Sequence, residues 1–300
     1  HFGYHTCSTG LKNNNIIIGR FPMLAGLLRY EFLQNAFLTG IIIGIIAPLL
    51  GVFVVVRRQS LIADALSHVT LGGIAFSLFL EKKYLTTTFN PLYMGMTFSV
   101  LGSLVIEKLR GVYKHYQELA IPIIMSAGMG LSVIFISLAD GFNSDLMSYL
   151  FGSVSAVSRM DLWTIVGVAI IVVATVILLY KELFLLSFDE DHAKASGLPA
   201  KTLHFIFIVL VALVIAASMR IVGILLVSSL MTLPVAASMR IAKGFKQMIG
   251  YSILFGEISV IGGLVSAYYL DLAPGGTIVI IAILILIAAI WFKKVKVRLV

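Results

Sequence analysis

Apolar residues run along this chain in blocks of about 16 to 22, separated by short polar stretches. A membrane-crossing helix needs about 20 mostly apolar residues at a rise of about 1.5 Å each. Nine blocks meet or approach that length, at residues 36–56, 61–80, 91–106, 118–139, 161–180, 202–219, 221–239, 248–269 and 277–292. Pro91 opens a short third block, and the stretch Met219–Ile224 leaves room only for a tight turn between the sixth and seventh. The pattern predicts an all-α polytopic membrane protein of about nine helices, one transmembrane domain over residues 23–300, and no soluble domain.

Composition agrees. The chain is 60% hydrophobic and 12% charged, with mean hydropathy +1.05. That leaves too little polar surface to coat a water-soluble globule. The net charge of +8 fits basic loops flanking membrane spans better than nucleic-acid binding, because the basic residues are dispersed and no recognition module is visible. A single cysteine, Cys7, excludes an internal disulfide and any cysteine-rich metal site. Residues 1–22 differ in character from the rest of the chain and lack the basic-then-apolar order of a signal peptide. They are expected to be a non-native or disordered extension, with Met23 the natural start. His1, His5 and Cys7 form at most a weak alternative metal set.

Charge then gives an orientation. With nine alternating spans, 15 of the 22 Lys and Arg residues fall on the C-terminal side of the membrane and 7 on the other. Lys and Arg collect on the cytoplasmic side. The expectation is a cytoplasmic C-terminus and an outside N-terminus. Small residues at helix-packing spacing, Gly40–Gly44 and Ser126–Gly130, predict close helix contacts.

Candidate chemistry is sparse. Asp64 and His68, in "RRQSLIADALSHVTLGG" (57–73), lie at i and i+4 and therefore share a helix face, about 6 Å apart along the axis. A carboxylate inside a membrane helix costs about 2.5–3.5 kcal/mol on insertion scales, so such residues tend to line a route or a wet interior. Carboxylate plus imidazole is half of an ordinary site for zinc, manganese or ferrous iron, and two copies in a symmetric dimer would supply two of each. The spacing equally allows the two side chains to pair with each other and hold helices together. Glu257 is the other deep acid, read as structural or as part of an ion path. His204, Glu107 and Glu118 fall at span ends, and Asp271 in the turn "DLAPGG". The polar loop "SFDEDHAKASGLP" (187–199) permits a short helix capped by Gly197 before Pro199, or an ordinary solvated connector. No GxxxxGK[ST], HExxH or GxSxG occurs, so no catalytic role is expected of the chain itself.

Four stretches in order resemble one family. "RRQSLIADALSHVTLGGIAFSLFL", "DLMSYLFGSVSAVSRMDLW" (145–163), "FDEDHAKASG" and "RIVGILLVSSLMTLPVAASMRIA" (220–242) are similar to segments of ABC-transporter permeases for manganese, zinc and iron. The resemblance spans residues 31–290. It implies a homodimer with a fold like the cobalamin importers, in a bacterial plasma membrane. It also implies a separate cytoplasmic ATPase dimer and an extracellular metal-binding protein as partners. By the same resemblance, Asp64 and His68 touch the transported ion transiently. Asp191, Ala193 and Gly197 match the acid, alanine and glycine of the ATPase-coupling pattern Glu-Ala-Ala-xxx-Gly, from which Asp and His depart at the first two positions. No permanently bound cofactor is implied, only the transported divalent metal. The "ADALSH" wording is closer to the zinc branch. The rival readings are a stand-alone secondary transporter coupled to protons, an intramembrane metalloenzyme, and a purely structural subunit.

Overall fold

A computed structural model describes residues 30–84, 90–113, 116–139, 141 and 144–298. Residues 1–22, with Met23, His1, His5 and Cys7, lie outside them. The helices are α1 Glu31–Val56, α2 Leu61–Tyr84, α3 Pro91–Val112, α4 Ala120–Leu138, α5 Ser144–Phe151, α6 Arg159–Leu178, α7 Tyr180–Phe188, α8 Glu190–Ala195, α9 Ala200–Val222, α10 Val227–Ile241, α11 Phe245–Leu270 and α12 Pro274–Arg298, with a 3₁₀ turn at Gln117–Leu119. Eight of them are long and apolar enough to cross a membrane. All nine predicted blocks are helical, but they differ in extent. α1 starts five residues earlier than its block and α3 runs on to Val112.

The seventh block departs most. Its first residues, Ile221 and Val222, finish α9, and Gly223 turns the chain with φ +82°. What remains is α10, 15 residues long, about 22 Å at 1.5 Å per residue and short of the hydrocarbon thickness. A backbone turn at that depth must have its polar groups paired inside the protein. The short helix α5, which no apolar block signals, supplies the partners. Ile224 N donates to Tyr149 O at 2.9 Å, and Ser153 N donates to Arg220 O at 3.0 Å. The approach is close because Gly152, Gly223 and Gly275 carry no Cβ. A methyl on Gly275 would lie 1.9 Å from the Val222 carbonyl oxygen.

The core lies where α1, α9 and α10 meet α2 and α11, with Phe53, Phe207, Leu50, Ile43 and Leu230 fully buried. α9 is the most enclosed span, whereas α4, α6 and α12 turn much of their surface outward. Gly40 and Gly44 do pack against α11, as the spacing predicts, meeting Leu264 and Glu257. Ser126 and Gly130 do not. Both face outward, and α4 approaches α2 through Gly128 and Ser132 instead. The contact predicted at Ser126–Gly130 is therefore not made, and the small residues that serve it lie two positions along, on nearly the opposite side of the helix.

Gly51 marks the tightest crossing of α1 and α10. A Cβ there would sit 2.0 Å from the Met231 carbonyl oxygen, a backbone atom that cannot step aside. Gly51→Ala is expected to destabilise the bundle by about 1–3 kcal/mol as an overpacking change. Thermal unfolding of the purified chain measures this, and an unchanged midpoint would mean the crossing is loose.

Candidate functional site

The placement of α2 begins with its contact to α4. Ser132 Oγ donates to His68 O at 3.1 Å, and a Cβ on Gly128 would lie 2.8 Å from Val69 N. Ser67 and Thr70 turn inward and return their hydroxyls to the backbone carbonyls of Ala63 and Leu66 at 2.8 and 2.6 Å. These contacts fix the rotation of α2. Between Leu61 and Ala75 every position is buried except Leu61, Asp64, His68 and Val69. Leu61, Asp64 and His68 stand at i, i+3 and i+7, one continuous stripe.

Asp64 lines a cleft of about 310 Å³ between the start of α2 and α10, with Ser60, Ser228 and Thr232 as its polar neighbours. The two side chains are both half-buried. Neither is sealed in the core, and no salt bridge joins them to each other among the described residues. Among those residues there is also no group of three or more His, Cys, Asp or Glu able to hold a metal. One chain therefore offers two ligands. A transition-metal shell wants four or more. Leu61, on the same stripe as Asp64, is 60% exposed.

Glu257 lies on α11, half-buried against Gly44 of α1, and its Oε1 is enclosed without a hydrogen-bond partner. It does not line the cleft that Asp64 borders. Asp271 adopts a left-handed conformation, φ +52°, as the cap of α11, so the turn reading holds.

The segment 187–199 forms a short helix, α8, bounded on both sides. Asp189 Oδ1 accepts from His192 N at 2.8 Å, and Gly197, at φ +79°, lets Leu198 N reach back to Ala193 O at 3.1 Å. Ala193 is fully buried against Leu186, Ala200 and Leu203, which pins the helix to the bundle. Asp191 is 97% exposed. Glu190 pairs with Lys194 at 2.9 Å, which holds the carboxyl below the usual carboxylate range and raises the lysine. α8 thus presents charged side chains outward from a fixed base.

Two clusters are not evident in the sequence. Near α8, Glu107 and His204 are more than span-end residues. Glu107 Oε2 lies 3.2 Å from His204 Nε2 and 3.9 Å from Arg110, and Arg110 also meets His204 Nε2. Burial, and then the neighbouring Arg110, push the Arg57 guanidinium down to about 10. At the other end of the bundle, Asp161, 1% exposed, joins Arg220 at 3.6 Å. Arg220 also donates to Ala156 O at 2.7 Å and lies over the Tyr149 ring. Burial raises the Tyr149 hydroxyl to about 12. Only the i,i+3 relation of Glu107 to Arg110 was available to signal either cluster.

A helical membrane bundle with a half-buried acid and imidazole on one span, and a short charged helix docked at one end, is of the ABC transporter permease class. The chain belongs to the ABC 3 transport family, whose model matches residues 29–293. It is 35% identical over 270 residues to the manganese transport system membrane protein MntC of Listeria monocytogenes, covering 90% of this chain and 93% of that one. It is 32% identical over 265 residues to the high-affinity zinc uptake system membrane protein ZnuB of Haemophilus influenzae, covering 88% and 98%. Among solved structures it is similar to PsaBC from Streptococcus pneumoniae in complex with Fab, with TM-score 0.77 and 31% identity over 89% of this chain and 94% of that one. The names divide between manganese and zinc at similar identity, so membership does not select the metal.

Proposed function

We propose that the chain is the permease subunit of an ATP-driven importer of divalent metal ions. Two copies face each other across the α2 stripe, so that two Asp64 and two His68 line one route. An extracellular metal-binding protein delivers the ion, and a cytoplasmic ATPase dimer grips α8 from below through Asp191 and its neighbours. The end bearing α8 is then the cytoplasmic end. The observation that carries this reading is the half-open stripe. It offers too few ligands within one chain for a permanent metal site, and its carboxylate is too costly for lipid.

The ligand set suits a passing ion. Two-state switching by ATP requires that the ion bind one state better than the other and then leave. Zinc is the lean from the imidazole, whereas the carboxylates serve manganese as well. The test is radiometal uptake into liposomes holding the chain with its binding protein and ATPase, comparing zinc with manganese. ATP-dependent uptake of either supports the reading. Uptake of equal rate without ATP or ATPase would instead make the chain a secondary transporter.

Gly197 gives a separate handle on coupling. Nothing lies within 4 Å of a Cβ built there, so only its φ of +79° resists a side chain. An L-residue in that region costs about 1–2 kcal/mol, enough to fray a six-residue helix. Gly197→Ala is expected to leave the unfolding midpoint of the bundle almost unchanged and to weaken ATPase co-purification. Gly197→Asn, which tolerates the left-handed region, should do so less. Equal, full co-purification of both variants would remove α8 from the docking surface.

A further inference from the structure

A second hollow lies away from Asp64 and His68. It is a basic recess of about 670 Å³ where the α1–α2 turn meets the α3–α4 connection, next to α8. Arg57, Arg58 and Arg110 line it together with Gln59 and Gln117. We propose that this recess binds a phosphate-bearing anion, presented by the headgroup of an acidic lipid.

Charge balance is the first argument. Two carboxylates line the recess, Glu118 and Glu190. Glu190 is already engaged by Lys194 at 2.9 Å, and Glu118 stands exposed at the rim. Glu107, behind Arg110, is shared with His204. Glu107 and Glu190 also act on Arg57, and Glu107 lies 3.9 Å from Arg110, so these two carboxylates are shared among several cations, and no carboxylate among the described residues forms a salt bridge with Arg58. Two of the three guanidinium groups are partly withdrawn from water, Arg110 with a side chain 14% exposed and Arg57 over the face of Phe207. Like charges held together out of water are costly unless an anion joins them.

Backbone geometry is the second. Arg58 has φ +56°, and its N–H donates to Val55 O at 3.0 Å, closing the end of α1. Glycine is the usual residue for such a helix-ending turn. An arginine held there brings a third cation to the same hollow. Guanidinium groups match phosphate oxygens in a fork geometry that an ammonium lacks.

Position names the source. The α3–α4 connection beside the recess exposes Tyr113, Tyr116 and Leu119, at 39%, 70% and 47%. Exposed tyrosines next to arginines at a span end are the signature of headgroup depth. Basic pockets between spans at that depth receive acidic lipid headgroups. Gln59 Oε1 is enclosed without a partner and can accept from a headgroup hydroxyl.

The full chain, purified and exposed to micelles of equal phosphatidylglycerol and phosphatidylcholine, is read by native mass spectrometry for retained lipid. Phosphatidylglycerol should be retained over phosphatidylcholine by at least about tenfold, each arginine near the headgroup contributing about fivefold. Arg58→Gln, on an exposed side chain, should lower that preference by about fivefold. Arg159→Gln, at the opposite end of the bundle, should leave it unchanged. If inorganic phosphate displaces phosphatidylglycerol from the parent chain but not from Arg58→Gln, the recess stands with a free anion as its source. Equal retention of both lipids overturns the proposal, as does a preference that survives both Arg58→Gln and Arg57→Gln.

Discussion

Asp64→Ala will lower metal uptake by at least about 100-fold while the purified chain stays folded. Groups that merely orient a metal ligand change affinity or activity by about 10–100-fold when removed. A carboxylate that touches the ion itself should exceed that, and in a homodimer one substitution removes both copies. Stability should move the other way. A half-buried carboxylate on a membrane helix costs about 2.5–3.5 kcal/mol on insertion scales, and alanine recovers part of it. The expected pair of readings is therefore lost uptake with an equal or higher unfolding midpoint. His68→Gln should hurt zinc uptake more than manganese uptake, because imidazole ranks higher among ligands for zinc. Unimpaired transport by Asp64→Ala would end the claim that this stripe contacts the ion. Lost transport with a collapsed midpoint would move Asp64 to the role of helix fastener.

Arg220→Met carries the second large effect, and it falls on folding. Asp161 is 1% exposed, caps α6 by accepting from Ser158 N at 3.0 Å, and has Arg220 as its cation at 3.6 Å. Removing one partner of a buried pair leaves an uncompensated charge and costs about 3–5 kcal/mol. The loss here also frees the Ala156 carbonyl and uncovers Tyr149, which joins α5 to the turn before α10. Folded yield and unfolding midpoint in detergent should both drop sharply. Replacing both residues, Asp161→Asn with Arg220→Met, should recover much of the loss, because the worst species is the lone buried carboxylate. A double variant no better than Arg220→Met would show that the Ala156 hydrogen bond and the Tyr149 contact, not charge, hold this end.

The transmembrane blocks were legible because a bilayer imposes a length on each of them, and composition alone reveals it. The end of α9 was misplaced by a few residues. Gly223 looks like any turn residue until α5 is seen to satisfy the backbone of that turn. Ser126–Gly130 shows the same limit from another side. Small spacing in a sequence marks a helix that can be approached, whereas the neighbour decides which side is used, and α2 chose Gly128 and Ser132. Glu107 reads as an ordinary span-end acid, and Asp161 draws no notice, because their partners, His204 and Arg220, are 97 and 59 residues away in the chain.

The sequence by itself determined that this is a helical membrane protein, which two residues could meet an ion, and where a coupling helix could form. Helix periodicity and the cost of charge in lipid are local properties, so each is written within one segment. Only the tertiary structure decided that Asp64 borders an open cleft with His68 half-buried on the same stripe and no salt bridge between them, that α10 is short because α5 caps the turn before it, and that Arg57 and Arg58 of the α1–α2 turn face one hollow with Arg110 of α3. Those facts depend on which surfaces meet after packing, and contact between distant segments leaves no period in a single sequence.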